Sequence, residues 1–385
     1  MMRLAVIASH PVQYYTPLFR ELARWVDLTV FYCHRDSPAD QARAGFGEGF
    51  VWDVDLISGY KAVFLDNVAR NPGLDQFNGV DCPGVAGVLR EGRFGGVLIM
   101  GWFLKAFIQA LIAARRMGLP AMVRGDSHLA TPRSKAKMLM KEAFYPVFLR
   151  QYAAALVVGT RNREYWRHYR YPEGRLFSSP HCVDTQWFAS HATDASRAEL
   201  RQEIGVCQDE KLVLFAGKLI ELKRPLDCVD ALARLQGSGQ KVGMLIAGSG
   251  DLETAIRNRA SECCVDVHFM GFQNQSAMPR AYAAADVLVL PSERETWGLV
   301  CNEALACGRP IVVSDAVGCA PDLANDGRVG QVYPLGDSVA LAARLDAVFK
   351  SPPSRDEIAS ISQRFSLAEA AAGIVEATTV ISRRT

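Results

Sequence analysis

The sequence lacks the patterns that mark several common functional classes. Its ten cysteines are scattered, with only Cys263 and Cys264 adjacent, so neither a disulfide framework nor a zinc site is indicated. The segment 4–11 has no Gly-x-Gly-x-x-Gly, and no Walker loop occurs, which argues against a nicotinamide-dependent oxidoreductase or a P-loop nucleotide site. No Asp-x-Asp follows an expected strand, so we predict no essential metal and no other cofactor. No nucleic-acid-binding motif accompanies the basic residues, and we predict no nucleic-acid partner.

A long hydrophobic run is absent from the beginning of the chain. Residues 1–8 contain one arginine and a short apolar run, and His10, Pro11 and Gln13 interrupt it before it could form a membrane span or signal sequence. We therefore expect a cytoplasmic protein.

Length and composition indicate two domains. A chain of 385 residues exceeds what one apolar core usually supports, and 49% hydrophobic residues can fill two cores. The charges divide unevenly: residues 1–190 carry 23 Lys+Arg and 16 Asp+Glu, a net +7, and the remainder carries 20 against 25, a net −5.

The basic excess is concentrated between Arg115 and Arg175, where 13 basic residues face 4 acidic ones. Within it, Lys135, Lys137, Lys141 and Arg150 alternate with apolar residues, which are Met138, Leu139, Phe144 and Phe148. This pattern is compatible with peripheral docking on an anionic membrane at the inner face of the cytoplasmic membrane. We favour the alternative of a solvated helix face over an ordinary core, because most charge runs have that origin.

Short apolar runs alternate with helical spacing in both halves of the chain. Strands are predicted at 4–9, 28–32, 97–100, 121–123 and 154–159, and again at 211–216, 242–247, 265–270, 287–290 and 310–314. Helices are predicted at 16–25, 103–117, 225–235 and 300–306. A polar stretch at 190–196 separates the halves, so the fold class is α/β with two parallel, doubly wound sheets whose ligands lie beyond the carboxyl ends of the strands.

The most informative motif is PSERETWGLVCNEALACGRP at 291–310, directly after a predicted strand. Gly298 permits close approach of the backbone to a ligand, and the helix that follows offers unpaired N–H groups to a diphosphate. Glu295 on the loop and Glu303 on the helix supply carboxylates that can accept hydrogen bonds from sugar hydroxyls. A second strand-end motif, FAGKLIELKRP at 215–225, presents cations at an equivalent position.

Together these motifs closely resemble the retaining glycosyltransferases of family 4, which have the GT-B fold of two facing Rossmann-like domains. The resemblance implies that Glu295 lies near the donor hexose and that Glu303 binds the ribose hydroxyls. It also implies that amides around Thr296, Trp297, Gly298 and Leu299 hold the diphosphate. A solvated glutamate pair is the alternative that the length of the match disfavours.

The same resemblance assigns the second motif to the donor diphosphate. Lys218 and Lys223, following Gly217, occupy the positions of the family's basic residues, and Arg224 is expected to supplement a contact that an arginine more often makes at position 218. A solvated basic loop is the alternative. Gly248 in IAGSGD (246–251) and Phe272 in MGF (270–272) resemble further donor segments, the latter cupping the base. SDAVGCAPDL (314–323) resembles the loop near the donor sugar.

The N-terminal half is expected to bind the acceptor. In PAMVRGDSH (120–128), His128 falls where the family often has a catalytic histidine, and Arg124 and Asp126 flank it; a surface or capping histidine is the alternative. The first loop, SHPVQYYTP (9–17), departs from the family's frequent Gly-Gly pair. We expect its side chains His10, Gln13 and Tyr14 to contact the acceptor, or the prolines merely to shape a turn.

The resemblance also implies the reaction and the domain limits. A hexosyl unit would pass with retention from a UDP-, GDP- or ADP-sugar to a hydroxyl of a glycan, lipid-linked or small-molecule acceptor, in cell-surface polysaccharide or lipid-linked glycan synthesis. The domains would be 1–190 for the acceptor, 191–365 for the donor, and 366–385 as a helix packing back on the first domain. A GT-B nucleotide-sugar epimerase and a nonenzymatic nucleotide-sugar-binding protein remain alternatives.

Overall fold

The computed structural model describes residues 2–35, 49–131, 134–325 and 327–383. The described residues form two compact units. Unit 1 takes those within Met1–Asp40, Asp55–Cys182 and Leu367–Thr385, and unit 2 takes those within Gln41–Val54 and Val183–Ser366. The chain passes from unit 1 to unit 2 before residue 190, because Phe188 is buried in an apolar cluster of unit 2.

Unit 1 contains a seven-stranded parallel sheet in the order β3-β2-β1-β4-β5-β6-β7. The strands are β1 (Arg3–Ala8), β2 (Asp27–Tyr32), β3 (Lys61–Phe64), β4 (Gly96–Ile99), β5 (Ala121–Arg124), β6 (Ala154–Val157) and β7 (Leu176–Ser178). Its α-helices before the chain enters unit 2 are α1 (Tyr15–Ala23), α2 (Val85–Gly92), α3 (Lys105–Arg116), α4 (Lys135–Leu149) and α5 (Thr160–His168).

Unit 2 contains a six-stranded parallel sheet in the order β10-β9-β8-β11-β12-β13. The strands are β8 (Lys211–Ala216), β9 (Val242–Ala247), β10 (Asp266–Gly271), β11 (Val287–Leu290), β12 (Ile311–Ser314) and β13 (Gly330–Tyr333). The helices are α6 (Thr185–His191), α7 (Asp194–Glu203), α8 (Pro225–Gly237), α9 (Glu253–Cys263), α10 (Met278–Ala284), α11 (Leu299–Ala306), α12 (Ser338–Lys350) and α13 (Arg355–Gln363).

Both sheets are apolar on their two faces, as all-parallel sheets covered by helices must be. In unit 1 the two faces pack separate clusters, one around Ile7 and Val97 and the other around Val6 and Leu98. Consecutive residues of β1 and β4 thus point to opposite clusters, which explains why these strands are continuous hydrophobic runs instead of alternating ones. The α/β, doubly wound prediction is confirmed in both units.

The last helix, α14 (Leu367–Ser382), belongs to unit 1. Among the described residues, the stretch Arg355–Ser382 is long and apolar enough to span a membrane by length and composition alone. Its second half, however, buries Ala370, Ile374 and Ala377 in the cluster around Val6. Packing within unit 1 therefore accounts for the apolar character of α14.

The sequence prediction missed β3, β7 and β13, which are three or four residues long. These three strands lie at the ends of the two sheets and most of their residues are only partly buried, so they lack the continuous run of fully buried apolar residues that marks the central strands. All ten cysteines are free thiols in the structure.

Candidate functional site

The strand order of unit 2 reverses between β8 and β11, and the two motifs singled out in the sequence follow these two strands. Ligands of open parallel sheets bind at such a switch point, outside the carboxyl ends of the strands. We name residues 217–224 the lysine loop and residues 291–298 the glutamate loop. The amide of Glu293 donates to the carbonyl of Leu222 at 2.9 Å, so the two loops are joined through their backbones.

Lys223 and Glu295 connect the two loops through their side chains. The Nζ of Lys223 donates to Oε2 of Glu295, and both side chains are mostly buried. Lys218 is also half-buried, and burial, followed by the charge of Lys223, lowers the pKa of its ammonium group. Two cations and one carboxylate are therefore collected at the switch point, where they can face a diphosphate and a sugar hydroxyl.

Gly217 and Gly248 follow β8 and β9 and allow these strand ends to meet. A Cβ on Gly248 would lie 1.9 Å from the carbonyl oxygen of Gly217, and Gly248 has a φ of +154°. Backbone packing therefore requires the glycine at 248, whereas a Cβ on Gly217 would meet no atom closer than 4.0 Å and glycine is favoured there by its φ of +151°. The edge next to Lys218 is where the sequence predicts the donor.

Arg224 forms an ion pair within unit 2, and the contact with a donor that the sequence predicts for it is a separate one. Its Nε and Nη2 donate to the two carboxylate oxygens of Asp227 at 2.8 and 3.0 Å, at the first turn of α8. This pair raises the pKa of Arg224. The guanidinium thus holds the beginning of α8, and a donor contact by Arg224 stays a prediction.

The glutamate loop is held in place by the loop that follows β12. The amide of Gly318 donates to the carbonyl of Glu295 at 3.0 Å, and the amide of Cys319 donates to the carbonyl of Trp297 at 2.9 Å. A Cβ on Gly318 would lie 1.9 Å from the carbonyl oxygen of Thr296. The segment 314–323, which the sequence placed near the donor sugar, therefore packs directly on the glutamate loop.

Trp297 directs its ring into the core of unit 2. The ring is buried and its Nε1 donates to Oδ1 of Asn302 at 2.8 Å. The side chain of Trp297 is therefore not exposed to a ligand. Gly298 follows with a φ of +102°, and α11 begins at Leu299. The amino end of this helix therefore lies at the switch point.

Glu303 is oriented by a residue that the sequence did not indicate. Tyr282 on α10 donates its hydroxyl to Oε2 of Glu303 at 2.6 Å. Burial raises the pKa of Glu303 from its ordinary 4.5 to about 7, although the hydrogen bond from Tyr282 opposes the shift. The carboxylate is thereby fixed in one orientation in a poorly solvated place, as a selective acceptor for hydroxyl donors requires.

Glu303→Gln is expected to make the protein more stable than the wild type at pH 8.5 and about equally stable at pH 4. Because the pKa of Glu303 is higher in the folded state than in the unfolded state, the protonated carboxyl contributes to the free energy of unfolding below about pH 4.5. That contribution is lost as the pH rises through about 7. Above pH 7 the wild type buries a charge that glutamine lacks, a difference of about 1–3 kcal/mol. Thermal unfolding of both proteins across this range measures it, and a pH-independent difference would contradict the raised pKa.

Phe272 follows β10 and packs against a segment that is distant in sequence. Its ring centroid lies 4.4 Å from that of Phe50, and Nδ2 of Asn274 donates to the carbonyl of Val51 at 2.8 Å. Residues 49–54 therefore cover this edge of unit 2, beside the position where the sequence predicts the nucleotide base.

In unit 1 the candidate acceptor residues lie at the carboxyl ends of β1 and β5. His10 follows β1, and its Nδ1 lies 2.9 Å from Oγ of Ser9. Gln13 and Tyr14 are half-buried just before α1 begins. Asp126 and His128 follow β5, with the Asp126 side chain about half exposed and His128 buried. The same edge of one sheet thus carries all of these side chains.

Arg124 is the last residue of β5, and its guanidinium is buried. Its Nη2 donates to the carbonyl of Pro180 at 2.9 Å, and its Nε donates to Oγ of Ser179 at 3.2 Å. The side chain therefore fixes the loop after β7, and direct contact with an acceptor stays a prediction.

His181 on this loop was missed by the sequence analysis. It is buried, with Nε2 3.9 Å from Oδ2 of Asp126 and its ring 6.4 Å from that of Tyr14. Burial, reinforced by the charge of Arg124, lowers its pKa to about 3, so the imidazole is neutral. The three-residue strand that positions it gave no sequence signal. Within the described ranges, no group of three or more His, Cys, Asp or Glu residues is arranged to hold a metal ion.

The chain has relatives among known proteins. Residues 196–365 match the family model described as glycosyl transferases group 1. The chain is 37% identical over 145 residues to a D-inositol 3-phosphate glycosyltransferase of Mycobacteroides abscessus, covering 37% of this chain and 32% of that protein. It is 30% identical over 216 residues to an alpha-D-kanosaminyltransferase of Streptomyces kanamyceticus, covering 55% of each. The matched region thus spans between about a third and about half the length of these relatives.

A solved structure of Anabaena HepE in complex with UDP superposes with a TM-score of 0.73 at 17% identity, over 99% of this chain and 100% of that one. Similarity at this identity concerns the fold. The chain therefore has the GT-B fold, and its residues 196–365 match the glycosyl transferases of group 1.

Proposed function

We propose that the protein is a retaining glycosyltransferase that moves a hexosyl unit from a nucleoside diphosphate sugar to an acceptor hydroxyl. The observation that carries the proposal is the grouping of Lys218, Lys223, Glu295 and Glu303 around one switch point, beside the open amino end of α11. Positive groups suit a diphosphate, and carboxylates suit ribose and hexose hydroxyls. The resemblance to glycosyltransferases and the UDP-glucose complex of Anabaena HepE support a nucleotide-sugar donor.

In this proposal each group has a separate task. Glu303, held by Tyr282, accepts hydrogen bonds from the ribose, and the amides at 296–299 bind the diphosphate. Glu295 positions the hexose. The acceptor oxygen forms a bond to the anomeric carbon on the face from which the phosphate leaves, the carbon–phosphate oxygen bond breaks, and the acceptor proton passes to the departing phosphate. Lys218 and Lys223 stabilise the charge that develops on that phosphate.

The acceptor side of the proposal rests on unit 1. His128, His10, Gln13 and Tyr14 lie at the carboxyl edge of its sheet, with neutral His181 beside Asp126. We propose that these groups bind an acceptor that carries a free hydroxyl and is used in polysaccharide or lipid-linked glycan synthesis. We further propose that the reaction takes place in the cytoplasm and requires no metal ion.

The donor proposal is tested by measuring binding and turnover of UDP-, GDP- and ADP-sugars with purified protein. We expect one donor to bind, and Glu303→Ala to weaken its binding by about 10-fold or more, since a hydrogen-bonded charged group contributes about 1.5–3 kcal/mol. Lys241→Ala, which removes an exposed lysine of the same unit paired with Asp209, is the matched control and should bind as the wild type does.

The outcomes separate the alternatives. Transfer to an added acceptor supports the proposal. Conversion of the donor sugar without any acceptor would show an epimerase. Binding with neither hydrolysis of the donor nor transfer to any of the added acceptors would favour a nucleotide-sugar-binding protein. Failure to bind any of these donors would contradict the donor site itself.

A further inference from the structure

Helix α4 exposes apolar side chains that have no place in the core. Of its residues only Leu149 is buried, and Leu139 and Phe144 are 74% and 55% exposed. Met138, Met140 and Val147 are exposed as well. The carboxyl-terminal part of α4 packs on the core of unit 1 through Tyr145, Phe148 and Leu149. A solvated helix face over an ordinary core therefore leaves the five exposed apolar side chains unexplained.

A groove of about 810 Å³ lies between α4 and α3. Its walls include Trp102, Phe103, Ile112, Phe144 and Phe148, and Phe103 and Ile112 are themselves exposed. The volume is within the range of ligand sites, and the walls are predominantly aromatic and aliphatic. The groove and the exposed face of α4 together form what we name the α4 surface.

The charges around the α4 surface are mostly positive. Arg115, Arg116 and Lys141 line the groove, and no acidic residue is found among the described residues that line it. Lys135 and Lys137 add two exposed cations at the beginning of α4. Glu142, the one acidic residue on α4, lies 2.6 Å from Nε2 of His168 and is thus engaged within unit 1.

We propose that the α4 surface docks on an anionic lipid bilayer. Exposed large apolar side chains interleaved with lysines are the chemistry of an interfacial helix, whose apolar face enters the acyl boundary while cations meet the headgroup phosphates. The groove gives one lipid chain a place to lie, with Arg115, Arg116 and Lys141 at its rim. A protein partner would need an apolar ridge surrounded by acidic residues in matching positions. An anionic bilayer has an apolar interior and negative headgroups everywhere on its surface, so it matches the α4 surface without such a specific arrangement.

The surface adjoins the acceptor edge of unit 1. Ser127 lines the groove and directly precedes His128. Docking by α4 therefore places the candidate acceptor residues beside the lipid surface, independently of which reaction they support.

The test is co-sedimentation of the full chain with phosphatidylcholine vesicles that do or do not contain phosphatidylglycerol, without donor or acceptor. We expect binding that requires phosphatidylglycerol. The triple variant Leu139→Ser, Met140→Ser, Phe144→Ser and the double variant Lys135→Ser, Lys137→Ser should each lower the partition coefficient by about 10-fold or more. Ile112→Gln in the opposite wall of the groove should lower it less.

The matched control replaces three comparably exposed apolar residues of unit 1 that lie outside α4 and the groove, Trp25, Ile57 and Val68, by serine. It should bind vesicles like the wild type, and thermal unfolding should show that every variant is folded. Absence of vesicle binding would overturn the proposal. Equal loss in the control would also overturn it, as would a dimer in solution that the α4 triple variant abolishes.

Discussion

Lys223→Ala is expected to lower kcat/KM for the nucleotide sugar by about 100- to 1,000-fold, the usual consequence of removing one preorganised donor to a developing negative charge. The structure adds a second reason. Lys223 pairs with Glu295 across the two loops, so alanine leaves the largely buried carboxylate of Glu295 without this cation beside the diphosphate. Steady-state kinetics with the donor found in the panel measure the effect.

Two further variants serve as controls for this prediction. Lys223→Arg keeps the charge and should lose less activity than alanine, and Lys241→Ala removes an exposed cation of the same unit and should lose none. If Lys223→Ala retained activity within twofold of the wild type, the assignment of the lysine loop to the leaving phosphate would be wrong.

Gly373→Ala is expected to destabilise the protein by about 3 kcal/mol or more, because overpacking against the backbone leaves no flexible atom to move. A Cβ at this position would lie 1.6 Å from the carbonyl oxygen of Ser178 in β7. Helix α14 would have to shift away from the sheet and from Ser179, whose Oγ donates to the carbonyl of Ala370 at 3.0 Å. Thermal unfolding followed by circular dichroism should show a melting temperature lower by roughly 6–12 °C.

Gly87→Ala supplies the matched control, since it makes the same substitution within a helix of the same unit. A Cβ on Gly87 meets no atom within 4 Å, and alanine in α2 should stabilise by about 0.5–1 kcal/mol through its higher helix propensity. Opposite signs for the two substitutions would show that close packing, and not propensity, decides the effect at Gly373. Equal effects would contradict the packing of α14 on β7.

Local sequence predicted much of the fold because the central strands are fully buried apolar runs bounded by clear breaks. The apolar run at 287–290 coincides with β11, and Pro225 begins α8 as a proline at the first turn of a helix should. The glutamate and lysine loops were found for the same reason: each follows a strand within one continuous stretch, so its position relative to the sheet is read directly along the chain.

The residues that the sequence missed are those whose role depends on another segment. Tyr282 reaches Glu303 across 21 residues, and His181 meets Asp126 across the sheet from β7 to β5. Arg124 and Trp297 show the converse. They lie within the two predicted motifs, yet the Arg124 side chain is buried against the loop after β7 and the Trp297 side chain is buried against Asn302.

The sequence by itself determined the α/β class, the two sheets and the loops that carry Lys218, Lys223, Glu295 and Glu303, because strand period and strand-end chemistry are local properties. Only the tertiary structure decided which side chains meet and which surfaces remain uncovered. Whether the apolar residues of α4 enter the core or face solvent depends on the elements packed around that helix, and those elements come from distant parts of the chain. The pairing of Lys223 with Glu295 has the same origin, since it arises where β8 and β11 become neighbours in the sheet.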